Sequence, residues 1–158
     1  MIENINLKVE IPLGIFIGLI FIILNATLGI VIGIPLLAFS SETERVAVQS
    51  GVAPLGEELG FRAFLPFVLF IIGVPFILNL LINIVSFPLY HYYAYGESFV
   101  SASSLFIGAG LFALVAFLAT YYNSDYDELQ IPIAAIIAHA VINTWLAVKV
   151  SGLLVVAS

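Results

Sequence analysis

Long apolar runs separated by short polar breaks dominate this chain. Ile11 to Phe39, Phe99 to Tyr122 and Ile131 to Val148 carry no charged residue, and no Asp, Glu, Lys or Arg lies between Arg62 and Glu97. A helix needs about 20 apolar residues to cross a bilayer. The run after Arg62 is too long for a single crossing, and Gly73-Val74-Pro75 supplies a break, because proline lacks an N–H and glycine is permissive. The pattern predicts five helices: A over Ile11–Phe39, B from Gly51–Pro54 to the break, C over Phe76–Tyr95, D over Phe99–Tyr122, and E from Ile131-Pro132, with proline at a helix start. Between them lie a polar loop, Ser40–Ser50, with Glu42, Glu44 and Arg45, a turn at Gly96-Glu97-Ser98, and an acidic loop, Asn123–Gln130. The expected fold is all-α, a polytopic membrane helix bundle of about five transmembrane helices with its termini on opposite sides. Residues 1–50 supply an N-terminal helix and polar loop, and residues 51–158 a core of four helices. Gly14/Gly18 and Gly29/Gly33 in helix A have the spacing of close helix packing.

Composition supports this picture. The chain is 63% hydrophobic and 9% charged, against about a quarter charged in soluble domains. It has no cysteine, which excludes disulfides and thiolate chemistry. A net charge of −6 with four Lys and Arg argues against nucleic acid as a partner. The mixed-charge start, Met1 to Glu10, runs into an apolar stretch too long for a signal peptide.

Against this background Glu57-Glu58-Leu59-Gly60-Phe61-Arg62 stands out. A charge near the bilayer centre costs roughly 2.5–3.5 kcal/mol, so such residues are usually paired and functional. Glu58 and Arg62 are four apart and share a helix face, which predicts an ion pair. Glu57 points about 100° away and is left for a neighbouring helix. The plainer alternative puts all three at headgroup level. Helix C carries Phe87, His91, Asn79 and Asn83, and helix E carries His139 and Asn143 on one face. The asparagines read equally well as interhelical hydrogen-bonding groups, and Tyr92, Tyr93 and Tyr95 as an interfacial aromatic belt. With five antiparallel spans, Glu57 lies about 9 Å and His91 about 7 Å from the same side, at 1.5 Å per residue. His139 and Asn143 lie near mid-span. The four are expected to converge in one half of the bilayer.

Glu57-Glu58-x-x-x-Arg62, Phe87-x-x-x-His91 and His139-x-x-x-Asn143, in that order, resemble the three motifs of the CPBP family, the CAAX-type prenyl proteases and bacteriocin-processing or bacteriocin-immunity (Abi) proteins. Pro132-Ile-Ala-Ala-Ile-Ile-Ala-His139 and Phe61-Arg62-Ala63-Phe64-Leu65 strengthen the resemblance, which covers about Gly51 to Val148 and leaves helix A as an addition. Pro88-Leu89-Tyr90 departs from the small residues usual before the histidine, and Pro88 is expected to kink helix C.

The resemblance implies intramembrane peptide hydrolysis of a peptide or prenylated-protein substrate. Glu57 would activate water, helped by His91. His139 and Asn143 would hold the oxyanion, and Glu58, Arg62 and Phe87 would support them. Whether a metal takes part is open: Glu57, His91 and His139 would make a His-His-carboxylate zinc site with water as fourth ligand, and a divalent metal such as zinc is the one cofactor considered. The alternatives are a non-catalytic bacteriocin-immunity or scaffold protein of the same fold, and a small proton- or ion-coupled transporter. The expected location is the plasma membrane of a prokaryote. Arg45 and Lys149 on the side of the Ser40–Ser50 loop, against Lys8 on the other, point the site towards the cytoplasm.

Overall fold

The computed structural model describes residues 7–32, 51–96, 106–114 and 131–150. All regular structure among them is helical. We number the helices α1 (Leu7–Ile32), α2 (Val52–Glu58), α3 (Leu65–Ile71), α4 (Phe76–Ala94), α5 (106–114) and α6 (Ile133–Val150), with a π-helical turn, Leu59–Phe64, joining α2 to α3. The end of helix A at 33–39, the Ser40–Ser50 loop, the rest of helix D and the Asn123–Gln130 loop lie outside the described residues.

The expected break falls where the backbone rules put it. α3 ends at Ile71, Gly73 takes φ 81, and α4 starts after Pro75. Positive φ is open to glycine because it has no Cβ. The α4 helix runs without interruption through Pro88.

Helix α1 packs along α6. A Cβ on Gly14 would sit 2.6 Å from the Ala134 carbonyl oxygen and 2.7 Å from Ile137 Cβ. One on Gly18 would sit 2.9 Å from the Ala138 oxygen and from Val141 Cβ. Contacts advance in the same direction along both helices, so the two are parallel, as helices A and E must be in a five-span bundle. The Gly14/Gly18 pair is thus a contact between backbones, while Gly29/Gly33 falls outside the described side chains. Phe21 of α1, Phe112 of α5 and Ala135, Ala138, Ile142 and Leu146 of α6 complete the core here. Gly14→Ala and Gly18→Ala are expected to lower the unfolding midpoint in detergent, each costing about 1–3 kcal/mol of overpacking. Gly56→Ala, where nothing lies within 4 Å, should hold or raise it by up to about 1 kcal/mol through helix propensity.

The start of helix A differs from expectation. The helix begins at Leu7, and Glu10 is buried rather than part of a polar lead-in. Its Oε2 accepts from the Ala134 N–H at 3.3 Å, in the first turn of α6. A carboxylate at a helix N-terminus satisfies a donor without an intrahelical partner and opposes the helix dipole. Since charge at the end of an apolar run reads as solvated, nothing in the local pattern marks this contact.

The π turn has a local cause in Pro66. The Leu65 N–H bonds the Gly60 carbonyl, five residues back. Pro66 has no N–H to offer either Arg62 at α spacing or Phe61 at π spacing. The Phe61 carbonyl instead accepts from Asn83 Nδ2 of α4. One turn earlier on α4, Asn79 Nδ2 donates to the Pro66 carbonyl at 2.9 Å. Asn79 and Asn83 are therefore the interhelical groups of the plainer reading, and they hold α4 antiparallel to the α2–α3 segment.

Beside the apolar core, the interior also takes in polar side chains while large apolar ones face outward. Glu57, Glu58, Arg62, Asn79, Asn83, His91, His139 and Asn143 are all buried. Phe16, Ile23, Val52, Phe64, Ile71, Ile72 and Ile77 are each at least 60% exposed.

Candidate active site

Three segments bring polar groups to one place. The end of α2 and the π turn supply Glu57, Glu58 and Arg62, the second half of α4 supplies Phe87 and His91, and the middle of α6 supplies His139. Glu58 is fully buried and serves two partners. Its Oε2 lies 3.4 Å from Arg62 Nε, the i,i+4 pair expected from spacing. Its Oε1 lies 2.8 Å from His139 Nδ1. An ionised carboxylate only accepts, so the His139 Nδ1–H donates and Nε2 is the ring atom turned towards Glu57.

Glu57 is held differently. Its Oε1 accepts from the Tyr95 hydroxyl at 3.1 Å. Its Oε2 faces His91 Nε2 at 3.5 Å and His139 Nε2 at 3.7 Å. His91 thus reaches the cluster despite Pro88. Tyr95, expected in an aromatic belt, turns inward, whereas Tyr93 is 79% exposed.

Aromatic rings close the cluster from below. The Phe87 centroid lies 4.2 Å from Arg62 Cζ, with Phe112 at 5.7 Å and Phe61 at 5.8 Å. The negative ring faces stabilise the buried guanidinium. Phe87 also meets His91 at 4.7 Å and His139 at 6.0 Å, and Phe112 stacks on His139 at 5.4 Å. Phe112 comes from a helix read as scaffold, with no ionisable group in its middle to flag it. Asn143 lies one turn beyond His139, and its buried Nδ2 has no hydrogen-bond partner among the described residues. No hydrogen bond ties it to Glu57 or the histidines.

As placed, no group of three or more His, Cys, Asp and Glu side chains among the described residues could hold a metal ion. Tetrahedral zinc with bonds of about 2.0 Å separates its ligand atoms by about 3.3 Å. Glu57 Oε2 lies 3.5 Å from His91 Nε2 and 3.7 Å from His139 Nε2, so these side chains would need to draw together only slightly to take zinc.

The fold and cluster together define a helical protein with a carboxylate and two imidazoles sequestered among its helices, an arrangement suited to moving protons. The chain belongs to the family of type II CAAX prenyl endopeptidases, Rce1-like, whose model matches residues 39–145, well over half of its length. No curated protein and no solved structure matches the chain. Family membership supports a CAAX-type protease function. Helix α1 lies outside the matched residues.

Proposed function

We propose that the protein is an integral membrane endopeptidase in which Glu57 activates water against a peptide bond of a CAAX-type substrate. The observation that carries the reading is the position of Glu57 Oε2 opposite the Nε2 atoms of both histidines, where one water can touch all three. Glu57 takes a proton from that water as its oxygen attacks the scissile carbonyl carbon. The carbonyl electron pair moves to oxygen, and the oxyanion is held by Asn143 Nδ2, a buried donor with no other partner among the described residues, and by His139 in its imidazolium form, whose Nε2 then carries a second N–H beside the one given to Glu58. Stabilising that charge is commonly the largest single contribution to catalysis. The C–N bond then breaks, the pair returns from oxygen to the carbonyl, and Glu57 passes its proton to the leaving amine. His91 orients the water, and Glu58 with Arg62 holds His139. No step passes through a metal.

A membrane setting is part of the proposal. Residues 7–24 of α1 and all of α4 are long and apolar enough to cross a bilayer. Exposed Thr27 and Thr144 return their hydroxyls to the carbonyls of Ile23 and Ala140 in their own helices, which satisfies polar groups where water is absent. The remaining spans, a prokaryotic plasma membrane and a site opening to the cytoplasm complete the reading; Arg45 and the Lys149 side chain, which orient it, lie outside the described residues.

The test uses the detergent-purified protein with prenylated and unprenylated CAAX peptides, with and without a zinc chelator. Cleavage of the prenylated peptide that survives chelation is expected. A folded protein that cleaves none of the peptides overturns the reading and leaves a binding role. Loss on chelation with recovery on added zinc would return Glu57, His91 and His139 to a ligand set.

A further inference from the structure

The geometry assigns Tyr95 as a positioning residue for Glu57: its hydroxyl occupies one carboxylate oxygen and so commits the other to the water. This inference rests on the reading of Glu57 as general base.

Tyr95 is the residue after α4, and its N–H bonds the His91 carbonyl at 3.1 Å. Gly96 follows with φ 69 and turns the chain out of the helix. The side chain therefore stays over the helix end. Its ring lies 5.0 Å from that of His91 and 5.6 Å from that of Tyr90, centroid to centroid. Tyr90 in turn packs on Phe61 at 5.3 Å. The ring is braced on two sides by neighbours already in place, and the hydroxyl is delivered to Glu57 Oε1 at 3.1 Å.

A carboxylate on a free side chain offers its two oxygens interchangeably and rotates about its last bond. Here Oε1 is occupied by Tyr95, while Oε2 faces His91 and His139. Both histidines lie on the Oε2 side. Fixing the rotation thus places the base against the atoms that hold the water. A small misplacement of a reacting group can cost about 100-fold in rate. Tyr95 touches neither water nor substrate in this scheme; it acts through Glu57.

Tyr95→Phe retains the ring and its packing and deletes only the hydroxyl. The expected result in detergent is a kcat lower by about 10- to 100-fold, an unchanged KM, and an unfolding midpoint within about one degree of the parent. An unchanged kcat, or a rise in KM at constant kcat, overturns the assignment while leaving Glu57 as base. A second measurement does not depend on activity. The infrared carboxylate band of Glu57, identified as the one lost in Glu57→Gln, should shift in Tyr95→Phe, because a hydrogen bond to one oxygen is removed. An unmoved band overturns the contact itself. If the parent cleaves no peptide yet the band moves, the contact stands and the base reading has failed.

Discussion

Glu57→Gln abolishes peptide cleavage and leaves the protein folded: this is the first expected result, and the effect should be at least about 100- to 10,000-fold, the range for removing a general base. Glutamine has the same shape, so its amide oxygen still accepts from Tyr95, and its NH2 can face the two imidazoles. Burial and packing at this position are retained. What disappears is an oxygen able to take a proton from water. Stability should therefore move by no more than about 1 kcal/mol, within the ordinary range of conservative changes. Single-turnover cleavage and thermal unfolding, measured on one preparation, separate the two quantities. Retained activity would remove Glu57 from the chemistry. A collapse in stability would make it a structural group.

The neighbouring carboxylate should behave in the opposite way. Glu58 is fully buried against Arg62, itself 3% exposed. Glu58→Gln leaves that guanidinium with aromatic faces and no carboxylate in direct contact. Breaking a buried pair from one side costs about 3–5 kcal/mol, so this variant should lose most of its stability margin. Arg62→Met should cost a similar amount by leaving Glu58 with His139 alone. Combining the two removes both charges and lets methionine rest on Phe87. The double variant should be more stable than the sum of the singles by about 1–3 kcal/mol, the size of coupling between contacting residues. Activity should not recover with stability, because His139 has lost its charged partner. Strictly additive losses would show that Glu58 and Arg62 do not act as a pair.

The contrast between two adjacent glutamates was legible in the spacing. Residues four apart share a helix face, and that rule survived even though Arg62 sits in a π turn. The second bond of Glu58, to His139, was not legible, since it joins residues 81 apart in sequence. The π turn has a local cause in Pro66, but hydropathy reads through it. Tyr95 was assigned to a belt because three tyrosines at a helix end share one local signature. Only the positive φ of Gly96 and the rings of Tyr90 and His91 separate it from Tyr92 and Tyr93.

Local rules decide what can be decided within a turn or two of helix. Hydrophobic runs, the Gly73-Val74-Pro75 break, the Gly14/Gly18 contact face and the Glu58–Arg62 pair all depend on neighbours three to five residues away, so the sequence by itself determined them. Long-range contacts decide the rest. The tertiary structure alone set Glu10 at the start of α6, Asn83 on the Phe61 carbonyl, Phe112 on His139 and Tyr95 on Glu57. Each of these depends on which faces of distant helices meet, and the one-dimensional pattern records that a face is apolar or polar without recording its partner.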